Sequence, residues 1–161
     1  MKDLYLFRHA KSSWDDPTLT DFERPLNKRG LKAAPIMGQA LRKRKVSPDL
    51  IICSPARRAK ETLEMVEKEI GWSVPVELRS EIYEAIPRRL FAVLRGVDDA
   101  VSCLLVIGHN PGLEEILTEL TGERERFPTA ALAHIRLAVE AWKDVEPSTG
   151  KLEFVLRPKE L

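Results

Sequence analysis

The chain has 161 residues, and its 26 Lys and Arg against 25 Asp and Glu leave a formal net charge of +1, yet residues 1–60 hold 14 basic and 6 acidic side chains while residues 61–161 hold 12 and 19. An apolar content of 43 % suits a globular protein and excludes a disordered one, and no apolar run approaches the roughly 20 residues that span a bilayer. The apolar run at residues 4–7 stops at Arg8, too soon for a secretory leader, and two cysteines, Cys53 and Cys103, read as reduced buried thiols of a cytoplasmic protein and not as a disulfide framework.

Strand and helix signals then alternate. Leu4, Tyr5, Leu6 and Phe7 predict a buried strand ending at Arg8-His9, followed by a polar loop containing Asp15, Asp16 and Asp21. Asn27 reads as the cap of a helix with its inward face at 31, 34, 37, 38 and 41; Pro35 either kinks this helix or marks its first turn. Residues 50–53 predict a second strand, with Ser54 as cap and Pro55 as first residue of a helix that runs to Gly71. Val74, Val76 and Leu78 alternate as a third strand, and residues 87–95 are helical up to Gly96. A fourth strand over 101–107 leads to Asn110-Pro111, a second cap and first residue, and to a helix ending at Gly122. Residues 132–139 alternate as a strand, residues 146–150 are turn chemistry, and 152–156 form a last strand. The pattern predicts one α/β domain over residues 1–161, a three-layer α/β/α sandwich on a mostly parallel sheet with a C-terminal antiparallel hairpin.

Open α/β sheets bind ligands beyond the carboxyl ends of their strands. Arg8-His9 follows the first strand, Ser54-Pro55-Ala56-Arg57-Arg58 the second, and Gly108-His109-Asn110-Pro111 the fourth. Two histidines, several arginines and two helix N-termini thus converge on one sheet edge. Arginine forks bind phosphoryl oxygens and histidine can attack phosphorus, so phosphoryl transfer fits these types. The sequence shows no Gly-rich Lys-Ser/Thr phosphate loop and no histidine pair at metal-ligand spacing.

Four segments in order carry a resemblance. Residues 6–14 (LFRHAKSSW), 24–30 (RPLNKRG), 54–62 (SPARRAKET) and 106–111 (VIGHNP) together resemble the histidine phosphatase superfamily, with its phosphoglycerate-mutase-like fold, and among its branches the short SixA-type phosphohistidine phosphatases. The resemblance implies a metal-independent phosphatase, without cofactor, that works through a phosphohistidine enzyme intermediate. It maps the nucleophile to His9, phosphate-binding groups to Arg8, Arg58 and His109, and the general acid to Glu81 in preference to Glu84. Alanine at position 10, where many members carry glycine, is a variant of this branch. Asp15 falls where relatives place a neighbour of the phosphate pocket.

The remaining chemistry-bearing residues have plainer readings. Arg57 is a surface residue, Asp16 a turn residue, and Trp14 packs the loop or lines the site's mouth. His134 faces solvent or the sheet's rim. Residues 42–45 (RKRK) could contact nucleic acid, but a helix C-terminus attracts such cations, and no nucleic-acid or membrane partner is expected. Only 50 residues separate Arg58 from His109, little room for a lid. An open site of this kind suits a phosphohistidine-bearing protein as substrate for a monomeric enzyme. A small phosphorylated metabolite is the alternative substrate, and a non-catalytic phosphate-binding domain the alternative role.

Overall fold

The computed structural model describes residues 1–161. Six strands form one sheet: β1 (Lys2–Arg8), β2 (Leu50–Cys53), β3 (Val76–Leu78), β4 (Cys103–Gly108), β5 (Leu132–Leu137) and β6 (Gly150–Leu156). Their spatial order is β3-β2-β4-β1-β5-β6. The first four run parallel, and β5 and β6 are antiparallel additions on the far side of β1. Four helices cover the sheet: α1 (Lys28–Lys43), α2 (Arg57–Ile70), α3 (Pro87–Arg95) and α4 (Gly112–Thr121).

The period-2 alternation of the strands sorts the core into two layers. Tyr5, Phe7, Ile51, Cys53, Leu105 and Ile107 point to the side where α1 and α2 contribute Met37, Leu41, Leu63 and Val66. Leu4, Leu6, Ile52, Leu104 and Val106 point to the other, against Leu90, Leu94, Leu113, Ile116 and Leu117 of α3 and α4. β1 and β4 are buried on both faces, which is why they read as continuous apolar runs. Each fully buried Leu or Ile contributes about 1.5–3 kcal/mol.

Several boundaries differ from the sequence expectation, each for a local reason. Pro35 is the eighth residue of α1, so of the two expected readings the interior one holds and the first-turn one does not. α2 begins at Arg57, two residues beyond the expected start, because the Ser54 hydroxyl accepts the Ala56 backbone N–H in a tight turn at 3.2 Å before the helix opens. α4 begins at Gly112, one residue beyond the expected start, with Pro111 as its N-cap. β3 is only Val76–Leu78, an exposed edge that leaves Val74 outside. His134 does not face solvent: it stacks on Tyr5 at 4.3 Å between ring centroids, and its Nε2 lies 2.8 Å from Asp3 Oδ1. Residues 42–45 are exposed where α1 ends. No helix is long and apolar enough to cross a membrane.

Because β1, β2 and β4 are adjacent and parallel, their carboxyl ends open side by side. His9 follows β1, Ser54 follows β2 and His109 follows β4, so the three loops meet at one edge.

Candidate active site

The turn after β1 is tied down on three sides. The Ala10 N–H donates to Thr62 Oγ1 at 2.9 Å, and that hydroxyl donates in turn to the Arg58 carbonyl at 2.7 Å. Thr62 stands one helical turn beyond Arg58, so α2 holds both the guanidinium and the backbone beside His9. Residues 11–13 pair with 25–27, through Asn27 N–H to the Lys11 carbonyl at 3.0 Å and Ser13 N–H to the Pro25 carbonyl at 2.8 Å. Gly30 permits this approach: a Cβ there would stand 2.2 Å from the Lys11 carbonyl oxygen.

Arg58 is the centre of the site and is only 5 % exposed. Its Nε donates to His9 Nε2 at 3.3 Å, and its Nη2 lies 3.3 Å from His109 Nδ1. These contacts, with two others, fix both tautomers. His9 Nδ1 lies 2.7 Å from the Ala10 carbonyl, which can only accept, so Nδ1 carries the hydrogen and Nε2 keeps its lone pair. His109 Nδ1 faces a guanidinium, which can only donate, so its hydrogen is on Nε2 and is donated to Ser54 Oγ at 2.7 Å. The two rings lie 5.0 Å apart.

Burial and surrounding charge keep both imidazoles neutral. Burial pushes His9 down to about 4, with Arg58, Arg8 and Arg24 adding to the effect and the Ala10 hydrogen bond opposing it. Burial, then His9, Arg58 and Arg8, push His109 down to about 3, against the pull of Asp21. A buried neutral imidazole with an unprotonated Nε2 is a competent nucleophile at neutral pH.

Asp21 is the counter-charge. It opens a single turn, Asp21–Glu23, after Thr20, whose N–H and hydroxyl both donate to Glu23 Oε1. Arg58 Nη1 donates to its carbonyl at 2.7 Å and Nη2 to Oδ2 at 3.1 Å, while Arg24 reaches Oδ1 at 3.0 Å. The Tyr83 hydroxyl donates to Oδ2 at 2.6 Å. Partial burial would raise the Asp21 carboxyl, but the Tyr83 hydroxyl and the two arginines outweigh it and hold it down at about 2. Burial and the Asp21 charge together push Tyr83 up to about 12.

Arg8 donates from Nη1 to the Phe127 carbonyl at 3.1 Å, and its Nε is buried without a partner. Burial pulls this guanidinium below its ordinary value. Arg24 is buried under Trp14, whose ring lies 3.4 Å from the guanidinium carbon. These groups surround a cleft of about 310 Å³ lined by Arg8, His9, Arg24, Arg58, Glu84 and His109, among others. No three His, Cys, Asp or Glu side chains converge as a metal-ligand set. Three guanidiniums around one small cleft form a receptor for a tetrahedral oxyanion.

The sequence pattern of the Histidine phosphatase superfamily (branch 1) matches residues 4–90, more than half of the chain. A Mycobacterium tuberculosis (strain ATCC 25618 / H37Rv) protein described as uncharacterized, Rv1276c, is 36 % identical over 156 residues, covering 90 % of this chain and 95 % of its own. This chain belongs to the histidine phosphatase superfamily. The Escherichia coli (strain K12) phosphohistidine phosphatase SixA is 29 % identical over 138 residues, covering 83 % of this chain and 84 % of its own. A structure of the protein histidine phosphatase SixA complexed with tungstate superposes with a TM-score of 0.85 at 25 % identity, covering 98 % of each chain. Fold and family together assign this histidine phosphatase to the SixA-type branch and its activity to the phosphatases.

Four of the five site residues expected from the sequence, Arg8, His9, Arg58 and His109, line the cleft. Glu81 does not. It is exposed and contributes nothing to the cleft, because the Arg79 guanidinium holds its carboxylate at 2.8 Å and keeps it below the usual range. The cause is the turn Ser80–Ile82, which sends Ile82 into the core and Glu81 outward. Glu84 lines the cleft, and Asp21 is the other carboxylate there. Asp15 is exposed and away from it, and Asp16 closes a local turn onto Thr18. Asp21 and Tyr83 carry no local signal in the sequence, whereas Ser54 and Thr62 are the first and last residues of the third family segment. Arg24 is likewise the first residue of the second family segment. Trp14 lines the mouth as well as packing on Arg24.

Proposed function

We propose that this histidine phosphatase removes phosphoryl groups from phosphohistidine on a protein substrate, through a covalent phosphohistidine intermediate on His9. The observation that carries the reading is the fixed tautomer of His9, whose Nδ1–H is spent on the Ala10 carbonyl and whose Nε2 lone pair faces the cleft's arginines. In the first step the Nε2 lone pair attacks phosphorus and the bond from phosphorus to the substrate's imidazole nitrogen breaks, its electron pair going to that nitrogen; the substrate ring, protonated on its other nitrogen, leaves as neutral imidazole. In the second, water attacks phosphorus, the P–Nε2 bond breaks, and inorganic phosphate departs with His9 neutral again. Arg8 and Arg58 hold the equatorial oxygens, and His109, which donates to Ser54 and accepts from Arg58, positions the Arg58 guanidinium beside them. The unpartnered Arg8 Nε–H regains a hydrogen bond when an anion arrives, recovering about 1–3 kcal/mol. Metal-free positioning and charge neutralisation suffice for this chemistry.

Protein phosphohistidine is favoured by the similarity to SixA-type proteins and by the low demand of an imidazole leaving group for a proton donor. Glu81 takes no part in this reading. In it the chain works as a monomer in the cytoplasm, with Cys53 and Cys103 as free thiols. Mass detection of a phosphoryl group on His9 after rapid acid-free quench tests the mechanism, and turnover by His9→Ala would sink it. That variant turning over nothing while wild type also binds phosphopeptide without hydrolysis would favour a binding domain instead.

One observation favours a second substrate class. Glu84 at the cleft could protonate an alkoxide, as a phosphomonoester requires. Glu84→Gln should then slow sugar-phosphate hydrolysis while sparing phosphohistidine. A wild-type preference for sugar phosphates over a phosphohistidine protein would overturn the first choice.

A further inference from the structure

Beside the catalytic cleft lies a larger groove, of about 510 Å³, that the chemistry above does not use. Lys11 and Thr129 line both, so the two share a wall. Arg29 and Lys32 of α1, Arg126 of the loop before β5, and Lys159 near the C-terminus bring further positive charge. None of these five cations makes an ion pair. The groove's sixth cation, Arg157, is already neutralised by Glu125 at 2.8 Å and Glu160 at 3.2 Å.

The placement of Arg29 is informative. α1 begins Lys28-Arg29 and has no acidic residue in its first turn, the opposite of what a helix N-terminus favours. Positive charge there works against the helix dipole, so helix stability is not the reason for it. The apolar part of the groove's lining is aliphatic, from Ala33, Ile36 and the two prolines Pro128 and Pro158. No aromatic side chain lines it, and nucleic-acid strands rely on such platforms for stacking.

We infer that this groove docks an acidic segment of the phosphoprotein substrate, with carboxylates on Arg29, Lys32, Arg126 and Lys159 and aliphatic side chains on Ile36, while the phosphohistidine enters the cleft across Lys11. The inference rests on the phosphoprotein reading above and adds to it the chemistry of the substrate's flanks. Opposite charge across such a surface acts on encounter and on KM, and it is screened by salt.

Two histidine-phosphorylated peptides of equal length test it, one flanked by Asp and Glu and one by Asn and Gln. The acidic peptide should have a KM at least about tenfold lower at low ionic strength, with equal kcat. The double variant Arg29→Glu/Lys32→Glu should erase that advantage and leave kinetics on the neutral peptide unchanged. It should also raise the thermal midpoint, since acids suit the start of α1, which separates docking from misfolding. Equal KM for the two peptides, or an unaltered acidic-peptide KM in the double variant, overturns the inference. Fluorescence anisotropy of the unphosphorylated acidic peptide is the independent arm. If neither phosphopeptide is hydrolysed, the phosphohistidine reading fails, and the groove is then judged by whether that peptide binds and whether the double variant weakens it about tenfold. Tighter binding of a single-stranded oligonucleotide than of the acidic peptide would also overturn it.

Discussion

The two neutral imidazoles of the cleft make the fold sensitive to mild acid. His9 and His109 are 6 % and 7 % exposed and are held at about 4 and about 3, below the ordinary histidine value of 6.5. Between pH 6.5 and 4 the unfolded chain therefore binds protons that the folded chain refuses, and stability falls as pH falls through that window. Well above pH 6.5 neither histidine contributes any pH dependence. At pH 5 each costs about 2 kcal/mol, together about 4 kcal/mol, a large share of a typical unfolding free energy of about 5–15 kcal/mol. Asp21 does not confuse the measurement. Its carboxyl is depressed to about 2, so its contribution is full above its ordinary 3.8 and is lost only below that. The double variant His9→Asn/His109→Gln keeps a donor near the Ala10 carbonyl and near Ser54 Oγ but cannot titrate. Urea unfolding at pH 7.5 and pH 5 should show wild type losing about 4 kcal/mol more than the double variant. Equal losses in the two proteins would refute the assignment of buried, neutral histidines.

The same protonation should shape turnover. kcat/KM reports the free enzyme, so for p-nitrophenyl phosphate, corrected for the substrate's own ionisation, it should stay level into mild acid and decline only as His9 takes a proton near pH 4; a decline centred at 6.5 would contradict the geometry. Arg58→Lys keeps the charge but loses the fork that meets His9, His109 and Asp21 together, and should lower kcat/KM by about 10²–10³-fold in steady-state assays. Thr62→Val strands the buried Ala10 N–H, and denaturant titration should show a loss of about 1–3 kcal/mol, with phosphoryl transfer to His9 slowed. Gly30→Ala drives a methyl into the Lys11 carbonyl, for a loss of about 1–3 kcal/mol by the same measurement.

Periodicity and chain order made much of the fold legible in the sequence. Strands buried on both faces announced themselves as apolar runs, and the rule that ligands sit beyond strand ends pointed to His9, Arg58 and His109 together. Contacts across long separations stayed hidden. Asp21 looks like any acid in a polar loop, yet its partners Arg58 and Tyr83 lie 37 and 62 residues away. Glu81 was misplaced for a local reason. β3 ends at Leu78, and the tight turn after it gives the inward direction to Ile82, so a carboxylate expected at the cleft points to Arg79 instead. The start of α2 was misjudged because Ser54, an ordinary cap by type, is engaged by Ala56 N–H and His109 before the helix begins.

Thr62 stands four residues after Arg58, so the hydroxyl that fixes the backbone beside His9 and the guanidinium that faces His9 ride on the same turn of α2. The backbone beside the attacking nitrogen and the anion receptor are thus referenced to one helix, as in an instrument whose lens and detector share one mount.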